Sequence, residues 1–337
     1  MKRQLVSIVT YKKPYDSVKK AVDLCNGLSH LPTKPRVFIK PNILWWTTEG
    51  TFPKWGSLTT SRVVEDMVVI LKEHGIDDII IGEGMVVDPK DNETPAAAFE
   101  SLGYNALIKR YGIQCINIHE RPFQTVDLGS GNEIKFNKDM LESDFLVDIP
   151  VLKTHVQTVV SLGIKNLKGL IDIESRKRCH TLSPEMDLHR YVSKFVNVVP
   201  PSFTVLDGIF SNETGPFFVT GKPRRSNILI ASADMLSADM VGARVLGYQP
   251  SQVPHIVLAA QDSGRPIDFS DVQVVGEELE KTVIHHESAY PFDEEKQLPP
   301  ALVDLGVKGI TVGNIDLTLC TYCAGRYPSL FNYLTIF

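Results

Sequence analysis

Apolar residues along this chain fall into short continuous runs and into sets spaced three and four apart, and the two patterns alternate. Val37-Phe-Ile-Lys40 is a run of the buried-strand type that stops at Pro41-Asn42. After a long loop, Val63, Val64, Met67, Val68 and Leu71 share one face at helical spacing, with Ser61 placed to cap the first turn and Gly75 to end the helix. Asp78-Ile-Ile-Ile-Gly82 predicts the next strand, and Thr94-Pro95, a cap residue followed by proline, opens a helix that runs to about Tyr111. Cys115-Ile-Asn-Ile-His119 and Asp144-Phe-Leu-Val-Asp-Ile-Pro150 continue the strands, and between them Thr125 to Phe136, broken at Gly129-Ser-Gly131, predicts an appended hairpin. Ser183-Pro184 is placed to open a helix with the stripe Leu188, Tyr191, Val192, Phe195 and Val196. Phe203-Thr-Val-Leu206 is the strand after it, and strand 227–231 with helix 238–246 makes one more cycle. Val272-Gln-Val-Val275 and Gly309-Ile-Thr-Val312 predict two late strands.

Such alternation predicts an α/β fold with a mostly parallel central sheet and flanking helices. The 337 residues suit one α/β domain over 1–305, or two lobes around a cleft with a boundary near 200, followed by a C-terminal segment over 306–337. In open parallel sheets, ligands bind beyond the carboxyl ends of the strands. The residues there are polar and small: Pro41-Asn42, Gly82-Glu83-Gly84, Lys153-Thr-His155, Asp207-Gly208 and Ser232-Ala-Asp234.

Composition changes this picture little, since 43% hydrophobic and 22% charged residues are ordinary for a globular chain. Charge changes it more. A net charge of −5 argues against nonspecific nucleic-acid binding, so any basic patch must be local. No apolar run approaches the ~18 residues of a membrane span, and the start, interrupted at Ser7, has the pattern of a strand rather than an export signal. The expectation is a cytoplasmic protein with no nucleic-acid or membrane partner, and assembly as a homo-oligomer stays open. Five cysteines without an export signal are expected as free thiols or ligands.

One stretch breaks the acidic balance. Between Val151 and His180 lie Lys153, Lys165, Lys168, Arg176, Lys177 and Arg178, against only Asp172 and Glu174. Within it, Gly163-Ile-Lys-Asn-Leu-Lys-Gly169 combines glycines, which let backbone approach closely, with Lys and Asn donors, a set suited to phosphate or carboxylate. The Gly-Lys-Ser/Thr ending of a Walker loop is missing. The plain alternative is a solvated basic loop. Anion-binding candidates are Lys40, Asn42, Lys165, Asn166 and Arg178. Candidates for catalysis are His155, His180, Lys153 and Asp207, because imidazole titrates near neutrality and Asp207 is placed to orient one. Glu83 and Asp234 complete the expected pocket. Cys320-Thr-Tyr-Cys323 can hold one zinc or one edge of an iron-sulfur cluster, or form a redox pair, with Cys179 as a third donor. Trp45, Trp46 and Trp55 either wall the pocket or pack the long loop down, and His285-His286 is expected at the surface.

Taken in order, Lys40-Pro-Asn42, Gly82-Glu-Gly84, Leu152-Lys-Thr-His155, Gly163 to Gly169, Lys177-Arg-Cys-His180, Leu206-Asp-Gly208, Gly215-Pro and Asp234 resemble the family of domain of unknown function 362, over about residues 35–260. The resemblance implies an iron-sulfur-linked protein of anaerobes and implies no activity. Unlike the ferredoxin-bearing members, this chain carries no four-cysteine motif. The Gly/Lys-rich segment followed by a histidine is also similar to the cofactor-binding region of nickel-pincer lactate racemases, which implies isomerase chemistry. Three function classes follow: an enzyme acting on a small anion, a redox or accessory protein holding an iron-sulfur cluster or transition metal, and a non-catalytic anion-binding module.

Overall fold

The structure is a computed structural model that describes residues 3–46, 55–85, 94–183, 185–215, 221–320 and 323. Its strands are β1 (Gln4–Thr10), β2 (Val37–Pro41), β3 (Ile79–Glu83), β4 (Gln114–Asn117), β5 (Phe123–Asp127), β6 (Glu133–Asn137), β7 (Phe145–Ile149), β8 (Val151–His155), β9 (Val159–Ser161), β10 (Ser202–Glu213), β11 (Lys222–Ser232) and β12 (Val272–Gly276). Its helices are α1 (Asp16–Leu24), α2 (Ser61–Glu73), α3 (Pro95–Ser101), α4 (Tyr104–Tyr111), α5 (Lys138–Leu141), α6 (Gly163–Asn166), α7 (Ile173–Arg178), α8 (Leu188–Phe195), α9 (Met235–Val245), α10 (Pro254–Asp262) and α11 (Pro300–Asp304).

Ten strands form one sheet in the order β12-β1-β11-β10-β7-β2-β3-β4, with β8 beside β10 and β9 beside β8. The run from β10 through β7, β2 and β3 to β4 is parallel, as is β1 with β12. Only β11, between β1 and β10, and the small β8–β9 hairpin pair antiparallel. Every residue of β2, β3 and β7 is buried, because helices cover both faces of a parallel sheet and leave no solvent side to write in polar residues. Alternate side chains then feed two cores. Phe38, Leu146 and Leu206 enter the one under α8, α9 and α10, while Val37, Ile39, Val147 and Val205 enter the one under α1, α2 and α4. No helix among the described residues is long and apolar enough to cross a membrane.

The β5–β6 hairpin forms its own two-stranded sheet, as the glycine break predicts. Several boundaries differ from the sequence expectation. Ser61 is the first helical residue of α2, and the cap position falls to Thr60. The predicted helix from Pro95 splits into α3 and α4 at Gly103, whose φ of +81° a helix cannot accommodate. Pro184 lies outside the described residues. The helix after it begins only at Leu188, where the Asp187 carboxylate accepts from the Arg190 N–H at 2.9 Å. β10 and β11 are much longer than expected, because the outer half of β11 is exposed, with Arg224 and Arg225, and that of β10 buries polar residues, Ser211, Asn212 and Glu213, so neither shows an apolar pattern. Residues 309–312 form no strand; they are exposed or half-buried, and Gly309 takes a φ of +78°. The stretch from Val151 to His180 is not a loop but two strands and two helices joined by a tight turn.

Candidate functional site

β2 and β3 end on Lys40 and Glu83, and β8 ends on Lys153, Thr154 and His155, so three strands deliver charged side chains to one place. The β8–β9 hairpin turns the chain back with Lys153 opposite Ser161, and α6 follows at once. Asp239 on α9 pins α6, its two carboxylate oxygens accepting from the Gly163 N–H at 2.7 Å and the Ile164 N–H at 2.9 Å. Gly163 must lack a side chain, since a Cβ there would stand 2.9 Å from Asp239 Oδ1. One turn on, Gly169 presses against Lys40; a Cβ would meet its Cε at 2.7 Å. α7 then brings Arg176 over Gly84.

These elements enclose a cleft of about 520 Å³, its open mouth included, lined by Lys40, Asn42, Leu44, Glu83, Gly84, Lys153, His155, Ser161, Lys165, Asn166, Lys168, Gly169 and Arg176. Five cations therefore face one carboxylate. That carboxylate is engaged: Glu83 Oε2 accepts from Lys40 Nζ at 2.6 Å and from the Ile43 N–H at 2.7 Å, and Oε1 accepts from the Gly84 N–H. Lys153 Nζ donates only to neutral acceptors, Asn42 Oδ1 at 2.6 Å and the Ser57 carbonyl at 2.9 Å. Asn42 Nδ2 donates to Asn166 Oδ1, and Asn166 Nδ2 donates to the buried Asp148 at 2.7 Å, so the floor of the cleft is one connected network. Lys165, 9% exposed, makes neither a hydrogen bond nor an ion pair among the described residues.

Hydrogen-bond partners fix both histidine tautomers. The Gln157 N–H donates to His155 Nδ1 at 3.1 Å, so the proton of the neutral ring sits on Nε2. His180 Nδ1 donates to the Leu317 carbonyl at 2.9 Å, which leaves Nε2 to accept from Lys168 Nζ at 2.9 Å. Burial and the surrounding lysines push His155 well below the usual imidazole range, and burial with Lys168 brings His180 down to about 3. Burial thus favours the neutral form of both rings, which serve here as hydrogen-bonding groups. Desolvation lowers Lys153 to about 7 and Lys168 to about 8, and drives Lys165 well below its ordinary value, with neighbouring lysines adding to the effect.

Of the residues expected at the site, Lys40, Asn42, Glu83, Lys153, His155, Lys165 and Asn166 line the cleft, and His180 stands behind Lys168. Three others sit elsewhere. Asp207 is buried beneath the sheet end, accepting from the Thr60 N–H at 2.7 Å and the Ile209 N–H at 3.1 Å, where it secures the start of α2 and the β10 bulge. Asp234 caps α9 through the Ser237 N–H and pairs with Arg265. Arg178 is exposed and donates to the Glu133 carbonyl, because two residues of helix rotate it away from Arg176, which holds the cleft position instead. Lys168, Arg176 and Ser161 were missed as wall residues. The three-residue spacing of Lys165 and Lys168 in a helical segment puts them on one face and was the available signal. His286, expected at the surface, is buried with Nε2 2.6 Å from Ser211 Oγ, whereas Trp46 is buried and Trp55 is exposed, stacked on Phe210.

Residues 37–244 match the model of the family described as domain of unknown function (DUF362), a stretch that is more than half of the chain and holds every residue lining the cleft. The chain belongs to this family. A relative of the DUF362 chain among characterised proteins is the thylakoid-associated protein sll1697 of Synechocystis sp. (strain ATCC 27184 / PCC 6803 / Kazusa), 27% identical over 231 residues that make up 67% of each chain. Among solved structures, the lactate racemase apoprotein of Thermoanaerobacterium thermosaccharolyticum superposes with a TM-score of 0.41 at 14% identity, over 73% of this chain and 57% of the racemase. This chain thus spans less than two thirds of that protein, and the likeness carries no inference about activity.

The thiols of this DUF362 chain do not fit the iron-sulfur cluster that the family resemblance implies. Cys179 is fully buried in the core and its thiol is pushed up to about 11 by desolvation. Cys25 and Cys115 lie under the opposite face of the sheet, on the α1 side. Cys320 and Cys323 are free thiols hydrogen-bonded to each other, which raises Cys323, and they fall beyond the family match. Four thiolates normally hold such a cluster. Among the described residues, no three His, Cys, Asp or Glu side chains converge as a metal set, so the grouping of Cys179 with Cys320 and Cys323 is not formed.

Proposed function

We propose that this DUF362 chain is an enzyme acting on a small organic acid or phosphate, held in the cationic cleft by Lys165, Lys168, Arg176 and the Nε2–H of His155. One observation carries the reading: Lys165 is nine-tenths buried and among the described residues has no carboxylate partner, an arrangement that costs stability unless an anion completes it. Arg176 supports it. Its Nε and Nη2 donate to the carbonyls of Ile171 and Gly169, leaving the rest of the fork for an oxyanion. Lysines whose titration is drawn toward neutrality in a cleft also favour a catalytic role over a passive binding module.

Calorimetric titration with inorganic phosphate and with oxalate tests the reading. Saturable binding of either, weakened at least about tenfold by Lys165→Met, is the expected result, a loss of ~1.4 kcal/mol or more. Equal affinity in the variant, or no binding of either anion by the unaltered chain, sinks it.

A further inference from the structure

Resting on that reading, we infer that Lys153 is the nucleophile of the site, and that the substrate class is an anionic carbonyl compound, a 2-oxo acid, which Lys153 engages as an imine. The assignment starts from how Lys153 is held. Its Nζ donates to Asn42 Oδ1 at 2.6 Å and to the Ser57 carbonyl at 2.9 Å, and the side chain lines the cleft. A tetrahedral nitrogen with two hydrogens so committed has one further position, and no protein acceptor among the described residues occupies it. In the neutral amine that position is the lone pair. Both partners are uncharged, so nothing in direct contact favours the ammonium; burial lowers it, and of the more distant charges Glu83 favours it while Lys40 opposes it. Desolvation next to other cations is the established way to make a lysine amine nucleophilic at neutral pH.

Lys165 shares the desolvation but not the aim, since no hydrogen bond among the described residues anchors its amine. It suits the other half of the task, swinging onto the carboxylate of the arriving acid. Lys40 is spent on Glu83, and Lys168 on His180. Among the described residues, Lys153 is the one of the four held through two neutral acceptors; Lys168 has one, the His180 ring, and Lys40 is bonded to a carboxylate.

The step balances without any outside oxidant or reductant. The Lys153 lone pair attacks the carbonyl carbon, and the oxygen takes up protons to leave as water, so that amine plus carbonyl gives imine plus water. The two amine hydrogens leave with that water. When the imine nitrogen is protonated, its single N–H returns to Asn42 Oδ1, the closer of the two acceptors. The cationic walls hold the adjacent carboxylate throughout.

The test uses the full chain with pyruvate and sodium borohydride, read by intact mass and then by peptide mapping. The expected result is one reduced pyruvate adduct on Lys153, suppressed by excess phosphate, and about tenfold or more lower in Lys153→Arg, which keeps a cation but no nucleophile. An adduct on Lys165 or on a surface lysine overturns the assignment, as does one that phosphate leaves unchanged. If phosphate binds calorimetrically and no adduct forms, this inference fails while the anion reading stands. If phosphate and oxalate also fail to bind, both fail together.

Discussion

A buried lysine with no partner among the described residues is a local liability, and the balance at Lys165 is open to measurement. Replacing a desolvated amine that lacks a partner by an apolar group of similar length relieves a cost on the order of 1–3 kcal/mol. Lys165→Met is therefore expected to raise the melting temperature while weakening anion binding; a lysine kept for packing alone gives no gain in stability. The titration of Lys153 and Lys168 gives a second prediction. Their folded pKa values, about 7 and about 8, lie below the ordinary 10.5, so between these limits the unfolded chain binds more protons than the folded one. The stability contribution of these two groups must rise as pH rises from about 7 toward 10, the reverse of a paired lysine. A bound anion favours the ammonium forms, so at pH 8 binding takes up protons. Calorimetry in two buffers of different ionisation enthalpy should return different heats, and identical heats refute the coupling. At this scale much of the cleft was legible, because Lys40, Asn42, Lys153, His155, Lys165 and Asn166 sit at strand ends or in the one Gly/Lys segment. Asp207 also sits at a strand end, yet the turn of the chain aims it at a backbone N–H instead. Nothing in residue type tells those two aims apart.

The element that makes the site is the short α6, and a helix of four residues does not stand alone. Asp239 holds it by accepting two backbone N–H groups, and an amide there has only one oxygen to offer. Asp239→Asn is expected to cost about 1–3 kcal/mol through the N–H left unpaired, and to weaken phosphate binding as well, because Lys165 rides on the same turn. Thermal unfolding and calorimetry on one preparation check both; a variant with reduced stability and intact affinity shows that α6 is positioned by other means. Elements were legible in proportion to their apolar patterning. β2, β3 and β7 announce themselves as unbroken apolar runs. The outer halves of β10 and β11 do not, since their cross-strand pairing needs no apolar residues, and Glu213 opposite Lys222 or Ser211 opposite Arg224 look like loop in one dimension. The strand expected at 309–312 failed for the converse reason: β-branched residues between glycines match the pattern, but among the described residues the segment joins no strand, and the Val312 N–H donates to the Gln297 carbonyl instead.

Across the whole molecule, the cleft and the cysteine pair fall on different parts of the chain. Every cleft residue lies within 37–244, while Cys320 and Cys323 follow a segment that is tied down by Gln157 Nε2 donating to the carbonyls of Asp316 and Leu319. A Cys320→Ala/Cys323→Ala variant is accordingly expected to bind phosphate within about twofold of the unaltered chain, since neither thiol lines the cleft. A loss of affinity much beyond that makes the thiols part of the site. The α/β class and the mostly parallel sheet were legible from the alternation of patterns. The strand order was not, because it depends on pairings between distant segments, and β1 is the plainest case. Its neighbours are β11 and β12, with Ser7 opposite Ala231 and Gln4 opposite Val272. During synthesis β1 thus has no sheet partner until some two hundred further residues have been made, whereas β2, β3 and β7 can pair as they appear. Closing so long a loop comes late. Pulsed hydrogen exchange during refolding should find amides of 37–41, 79–83 and 145–149 protected before those of 4–10; simultaneous protection would mean that the sheet forms in one step. In the cell, β1 stays an unmatched edge until β11 has been made, which gives a nascent-chain chaperone reason to cover it.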